Sequence, residues 1–301
     1  MKSLNDLTVI IVTFNTPRKV ILDCLNSINK NVNILIVENS DSFNEQDLVS
    51  TKFSNVNVVC TGENLGYGKG NNFGINHVKT DYVLILNPDV TCEDKFFTHI
   101  ISVVNKAEDF TIIGCQYLSD NIFMPAGFFD ENQNNRFIKN FKNNDVKPLS
   151  TVEWVTGCSM LINLKKFSDK NIFDKNFFLY FEEFDLCKSI IKSGGKIYTS
   201  SELKIHHLGF RSSLSENKIE NLKIINLKDW HYMWSSFYFY KKNYNFIYAL
   251  GKLSGKFFKS FFKMIFFTII FQKNDKNKYL YRFLGLLNSI MGRPSNYRVN
   301  K

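Results

Sequence analysis

Asn64-Leu-Gly-Tyr-Gly-Lys-Gly-Asn-Asn-Phe-Gly74, followed one short strand later by Leu86-Asn-Pro-Asp-Val90, is the stretch on which the reading of this chain turns. Its closely spaced glycines leave the backbone room to approach a ligand, so the segment reads as a glycine-rich loop. Asp89, at the end of the next strand, can hold a metal against that ligand's phosphates. A dinucleotide fingerprint fits poorly. G-x-G-x-x-G belongs after the first strand, whereas here the glycines follow the third, and three residues rather than two separate Gly70 from Gly74.

Around that stretch the chain alternates strand and helix. Strands read at Leu7–Thr13, Ile34–Val37, Val56–Cys60 and Tyr82–Leu86 as near-continuous apolar runs, the pattern of strands buried on both faces. Pro17 opens a helix whose Val20, Ile21, Cys24, Leu25 and Ile28 share a face, and a second helix after Asp89 turns Phe96, Phe97, Ile100, Ile101 and Val104 inward. This βαβ rhythm predicts an α/β fold with a mainly parallel sheet. Ligands of such sheets bind beyond the carboxyl ends of the strands, where Thr13–Asn15, Glu38–Ser40 and Asn87–Asp89 fall. Asn132 to Asn144, rich in Asn and Lys, reads as a surface loop. A strand near Cys158–Ile162 follows, then a helix through Glu183–Lys192 stopped by Gly194-Gly195, and a short strand Lys196–Tyr198. Beyond about residue 211 the pattern is helical and aromatic-rich.

Composition narrows the classes. At 301 residues, 44% hydrophobic and 22% charged, the chain can bury a sizeable core. A net charge of +10 calls for an anionic partner without naming it. The positive charge concentrates in the Phe-rich tail rather than on a nucleic-acid reading module, so nucleic acid is not expected. Six scattered cysteines without a Cys-x-x-Cys pair argue for reduced thiols in a cytosolic setting and against a zinc site. Asn5 and Asp6 lead straight into a core-type strand, which predicts no signal peptide, and no apolar run of about 18 residues predicts a spanning helix.

Several motifs stand in order along the chain: Val9-Ile-Ile-Val-Thr-Phe-Asn-Thr16, Leu35-Ile-Val-Glu-Asn-Ser40, the glycine stretch, Asn87-Pro88-Asp89, and Phe178-Leu-Tyr-Phe-Glu-Glu-Phe-Asp-Leu-Cys187. Together they resemble family-2 glycosyltransferases of the GT-A fold, in particular the rhamnosyltransferase-like branch, over roughly residues 7 to 211. The resemblance implies a Rossmann-like nucleotide-binding sheet flanked by helices, with a helical C-terminal tail. It divides the chain into a donor-binding half (1–118), an acceptor and catalytic-base half (119–211) and a helical, aromatic and basic region (212–301).

The resemblance also implies roles. Thr13, Phe14, Asn15 and Glu38 would meet the nucleoside, with the Phe14 ring against the base and Glu38 accepting hydrogen bonds; the family more often carries Tyr and Asp there. Asn64, Gly66, Gly68 and Asn72 would border the sugar diphosphate. Asp89, with Asn87 in place of a first Asp, would bind Mg²⁺ or Mn²⁺, and His206, which fits a late His-x-x-Gly spacing with Gly209 and Arg211 nearby, would complete the metal site. Adjacent histidines on a strand point to opposite faces, so one of His206 and His207 is expected there. Glu183 takes the place of the base that deprotonates the acceptor hydroxyl in an inverting transfer, with Asp185 a structural or orienting acid. Glu182, Trp154 and Gly157 would lie on the acceptor side.

The implied activity is transfer of a sugar, rhamnose favoured, from a dTDP- or UDP-linked donor to a hydroxyl of a glycan acceptor in bacterial surface polysaccharide synthesis. A non-catalytic glycan- or membrane-binding partner on a degenerate transferase fold is the alternative. In the tail, Lys252, Lys256, Lys259 and Lys263 form one stripe of a helix, with Phe257, Phe258, Phe261, Met264 and Ile265 largely opposite. That pattern predicts an interfacial helix on an anionic membrane. It suggests a lipid-linked acceptor and a peripheral place on the cytoplasmic face of the plasma membrane. The competing expectation is a Phe face packed on the catalytic domain.

Overall fold

The first strand, β1 (Leu7–Thr13), is apolar at nearly every position because both its faces are covered, and the sheet is built outward on either side of it. The computed structural model describes residues 1–118, 126–142, 147–207 and 218–298. After β1 come α1 (Arg18–Asn26), β2 (Asn33–Glu38), α2 (Gln46–Lys52), β3 (Val56–Cys60), α3 (Tyr67–His77), β4 (Tyr82–Leu86), β5 (Val90–Cys92), α4 (Phe96–Lys106) and β6 (Phe110–Leu118). Then follow β7 (Ala126–Gly127), α5 (Glu131–Lys142), β8 (Leu149–Val152), β9 (Trp154–Val155), β10 (Ser159–Asn163), α6 (Glu182–Lys192), β11 (Lys196–His207), α7 (Lys218–Asn243), α8 (Phe246–Ile269) and α9 (Lys273–Ile290).

The chain divides into two compact units. One comprises Met1–Leu65, Lys69–Phe173 and Leu186–Ser213 and carries the main sheet, in the order β3-β2-β1-β4-β10-β6-β11-β5, with β8 on β11. Strands β1 to β4 run parallel; β10 enters antiparallel between β4 and β6. Ile11, Ile36, Leu84, Phe96, Ile100 and Leu161 are fully buried in its core. The strand order reverses between β1 and β4, and in such sheets the crevice for a ligand opens at that switch. The second unit comprises Gly66–Gly68, Asp174–Asp185 and Leu214–Lys301. Its helices α7, α8 and α9 close on Met233, Phe237, Ala249, Leu253 and Leu286. Gly285 is needed there, because a Cβ would run into the Trp230 carbonyl of α7.

Three expectations are corrected. The glycine-rich stretch is only partly a loop, for α3 begins at Tyr67. A Cβ at Gly70 would sit 2.9 Å from Val12 Cγ1, and one at Gly74 2.8 Å from Ile10 Cγ2. These two glycines therefore let a helix lie close on the sheet. Residues 132–144 are not a loop as far as Lys142: α5 starts on Asp130, whose carboxylate accepts from the Gln133 amide at 2.8 Å, and the Phe137 ring packs edge-on to Phe128. The strand expected at Lys196–Tyr198 runs on to His207 through a bulge between Ser200 and Lys204. No helix among the described residues is long and apolar enough to cross a membrane.

Candidate active site

At the carboxyl ends of β1 and β2, Glu38 is buried and held by its neighbours. Thr13 Oγ1 donates to Glu38 Oε2 at 2.6 Å, while Ser40 Oγ (2.7 Å) and the Asn15 amide (3.3 Å) donate to Oε1. These three donors fix the orientation of the carboxylate. Asn15 takes a positive φ of 51°, a conformation Asn tolerates better than most residues, and the preceding Phe14 ring is 37% exposed. An open aromatic face beside a fixed carboxylate suits a nucleobase and its ribose.

Between β4 and β5, Asn87-Pro88-Asp89-Val90 makes a tight turn closed by the Val90 amide on the Asn87 carbonyl at 3.1 Å. The turn directs Asp89 inward, 2% exposed. Strand β5 pairs antiparallel with β11 so that His207 stands opposite Val90 and His206 opposite Thr91. His207 Nε2 consequently lies 3.4 Å from Asp89 Oδ1, whereas His206 points to the other face, 3.6 Å from Glu93. The histidine beside Asp89 is thus His207 and not His206, a correction made by strand register. Gly209 and Arg211 lie outside the described residues.

Asn72 is buried and staples the chain: its amide exchanges two hydrogen bonds with the Phe173 backbone, at 2.8 and 3.0 Å. That engagement ties α3 to the chain at Phe173. Asn64 is half-buried just ahead of α3, and Asn87 half-buried in the turn. On β9, Trp154 is half-buried, its indole N–H donates to the Phe128 carbonyl at 3.0 Å, and it lies over Gly127, where a Cβ would meet the ring. Gly157 is half-exposed in the following turn.

The other group of candidates belongs to the second unit. Gly66, at φ +80°, packs so tightly on Phe178 that a Cβ would strike its carbonyl oxygen, and the Tyr67 amide donates to that same oxygen at 3.0 Å. Gly68 comes next but one as a buried residue. Downstream, Tyr180 and Phe181 both hold φ at +71° immediately before Glu182. Two successive non-glycine residues there carry backbone strain of about 1–3 kcal/mol each, so packing must impose the conformation. Ser235 Oγ donates to the Leu179 carbonyl at 2.8 Å, Tyr180 packs on Tyr232, and the Phe181 ring is enclosed by Phe184, Tyr232 and Phe239.

This strained corner starts α6 with three acids in different settings. Glu182 is buried, and its Oε1 has no hydrogen-bond partner among the described residues. Burial first, and then the Glu183 charge, push its carboxyl well above the ordinary range. Glu183 is half-buried, and loss of solvent raises its carboxyl to about 7 against the pull of its own helix-start amides. Asp185 is clamped from α7: Lys242 Nζ donates to Oδ2 at 2.6 Å and Asn243 Nδ2 to Oδ1 at 2.8 Å. Lys242 also reaches Asp174 Oδ2 at 2.7 Å, which Tyr238 supports at 3.0 Å. Sequence patterning alone misses this clamp, whose only trace is the Lys241-Lys242-Asn243 end of a long helix.

Among the described residues no three His, Cys, Asp or Glu side chains converge as a metal cage. Asp89 and His207 supply one hard oxygen donor and one imidazole nitrogen. That set suits a Mg²⁺- or Mn²⁺-type ion whose other positions belong to phosphate oxygens and water.

The mixed, mainly parallel sheet with helices around it is the GT-A fold. Solved structures share that fold at low sequence identity. GalNAc-T7 with UDP, GalNAc and Mn²⁺ superposes with a TM-score of 0.54 at 12% identity, over 82% of this chain and 56% of that one. The mannosyltransferase PcManGT from Pyrobaculum calidifontis, in complex with GDP-Man and Mn²⁺, gives 0.53 at 10% identity over 97% and 90%. The chain belongs to glycosyl transferase family 2, whose model matches residues 8–167. Similar proteins include the rhamnosyltransferase WbbL of Escherichia coli K12, 25% identical over 204 residues covering 60% of this chain and 74% of that protein. The low-salt glycan biosynthesis hexosyltransferase Agl10 of Haloferax volcanii is also 25% identical, over 194 residues, and the match spans 61% of each chain. The chain is a glycosyltransferase.

Proposed function

We propose that the protein is an inverting, metal-dependent glycosyltransferase that moves a hexose, rhamnose in the favoured reading, from a nucleotide diphosphate to a hydroxyl of a glycan acceptor. The similarity to WbbL supports rhamnose, and with it a dTDP-linked donor, UDP being the second candidate. The observation that carries the metal and donor reading is the Asp89–His207 pair at the switch point of the sheet. Residues 1–118 would hold the donor, 119–211 the acceptor and base, and 212–301 the side turned toward an anionic membrane surface on the cytoplasmic face, where a lipid-linked acceptor would be met.

Phe14 stacks on the base, and Glu38, positioned before a ligand arrives by the Thr13, Asn15 and Ser40 hydrogen bonds, accepts from the nucleoside. A bound divalent cation, held by Asp89 and His207, would neutralise charge on the diphosphate. Glu183 takes the proton from the attacking hydroxyl as that oxygen bonds to the anomeric carbon and the nucleotide diphosphate departs. Asp185, neutralised by Lys242 and oriented by Asn243, fixes the start of α6 and leaves proton transfer to Glu183.

Donor binding tests the reading directly. In thermal melts, dTDP and UDP are expected to raise Tm in the presence of Mn²⁺ and to lose most of that effect in EDTA. A nucleotide at about 100 times its Kd contributes about 2.7 kcal/mol. No shift with any pyrimidine or purine nucleoside diphosphate would overturn the donor site. A second expectation concerns the clamp. Lys242→Met should lower kcat by up to about 10²-fold through misplacement of the base, leave the donor's KM unchanged, and be partly rescued by Lys242→Arg. Since the Lys242 side chain is 39% exposed, the accompanying loss of stability should stay well below that of a fully buried pair. Equal effects on kcat and donor KM would make Lys242 a general folding residue instead.

A further inference from the structure

Helix α8 has three faces, and one of them is covered by nothing among the described residues. Ala249, Leu253 and Ser260 are buried, and Phe257 and Phe261 pack on Phe283 of α9, with Phe267 stacked on Tyr279. The phenylalanines expected as one face are therefore split, Phe257 and Phe261 inward and Phe258 outward. Opposite the buried face, Ile247, Leu250, Phe258, Phe262, Ile265, Phe266 and Ile269 are exposed, Phe262 to 63% and Ile269 to 67%. At 100° per residue these positions form one stripe along the helix. Lys252, Lys256, Lys259 and Lys263 run along one flank of that stripe, between it and the buried face; Lys252, Lys256 and Lys259 are exposed, and Lys256 and Lys263 lie over the rings of Tyr232 and Tyr279.

The helix ends in a way that adds to this. The Gln272 amide donates to the Phe267 carbonyl at 3.0 Å and the Phe271 amide to Thr268 at 3.3 Å, the bonding of a Schellman cap whose left-handed position is usually glycine. Here that position is Phe271, at φ +57° and 93% exposed. The backbone would be easier with glycine, and so exposed a ring gains little from packing, so local stability does not account for it.

We propose that the exposed stripe of α8, continued by Phe271, is a docking face for a lipid bilayer with anionic headgroups, the apolar side chains entering the interface and Lys252 and Lys259 meeting phosphate. A large contiguous apolar patch on a helix surface requires an occupant, and the lysine flank selects a negatively charged one. A second copy of the chain fits less well. Antiparallel pairing along the stripe would set one lysine flank against the other. The inference gives the surface for the membrane placement proposed above and stands apart from the transferase reading, because docking involves neither donor nor acceptor.

Co-sedimentation with phosphatidylglycerol–phosphatidylcholine vesicles, without nucleotide or metal, is the test. The full chain should bind these vesicles and bind phosphatidylcholine alone far less. Phe262→Ser, Phe266→Ser and Phe271→Ser combined should abolish binding while circular dichroism stays unchanged. Lys252→Gln with Lys259→Gln should weaken binding roughly 10- to 30-fold, since each lysine near an anionic surface strengthens it about fivefold. Phe271→Gly separates docking from folding: Tm should hold or rise as the cap relaxes, while vesicle affinity falls. Undiminished binding by the triple serine variant overturns the proposal. So does a wild-type dimer that the triple variant dissolves while neither form binds vesicles.

Discussion

Replacing Glu183 with Gln is expected to reduce sugar transfer by about 10²- to 10⁴-fold, the range a general base supplies, while donor binding by thermal shift stays as in the wild type. Gln keeps the shape of the side chain and the helix-start hydrogen bonds but cannot accept the acceptor's proton. The wild-type rate should climb with pH as the carboxyl, raised to about 7 by loss of solvent, gives up its proton. The sign comes from the role: a base works deprotonated, so activity is low below that value and high above it. Because burial and the Glu183 charge also raise the adjacent Glu182 carboxyl, the apparent midpoint belongs to the pair. Initial rates with a labelled donor between acid and alkaline pH would show the limb in the wild type and its absence in Glu183→Gln. An unaltered rate and an unaltered limb in the variant would remove Glu183 from the chemistry.

Asp89→Asn should be as damaging by a different route. The substitution keeps the size of a buried residue in a closed turn and removes its charge. Turnover should fall by at least about 10²- to 10³-fold, as when an electrostatic stabiliser of a departing group is lost, and the Mn²⁺-dependent part of the nucleotide-induced Tm shift should vanish. The unliganded protein should melt at the same temperature or higher, because a buried carboxylate is itself costly and a neutral amide less so. Loss of activity with gain of stability is the signature expected of a residue kept for function. Full activity of Asp89→Asn in EDTA would show that this carboxylate holds no catalytic metal.

Much of the sheet was legible in the sequence because β1, β2 and β4 are buried on both faces and so spell unbroken apolar runs. The short strands β5, β7 and β9 have two or three residues each, too few for any period to show. Helix α5 escaped because its Asn and Lys residues obscure an apolar edge of Phe137, Ile138 and Phe141. The glycine stretch misled for the opposite reason. Gly70 and Gly74 signal close approach, but to Val12 and Ile10 of the sheet rather than to a ligand. Among site residues, those at strand ends could be placed from chain direction alone. The choice between His206 and His207 could not, since it depends on a register with a strand more than a hundred residues earlier. The partners of Asn72 and Asp185 were hidden likewise, because Phe173, Lys242 and Asn243 are remote in sequence.

The left-handed corner at Tyr180 and Phe181 bears on how the protein is made. It is held in shape by Tyr232, Ser235 and Phe239, and Asp185 just beyond it is held by Lys242, 57 residues downstream. On the ribosome β1, β2 and β4 emerge first, and the segment bearing Glu183 emerges well before the helix that bends it. The corner before α6 therefore takes its shape only after α7 has been made. On the proposed assignment of Glu183 as base, transfer therefore awaits the C-terminal helices that shape its corner.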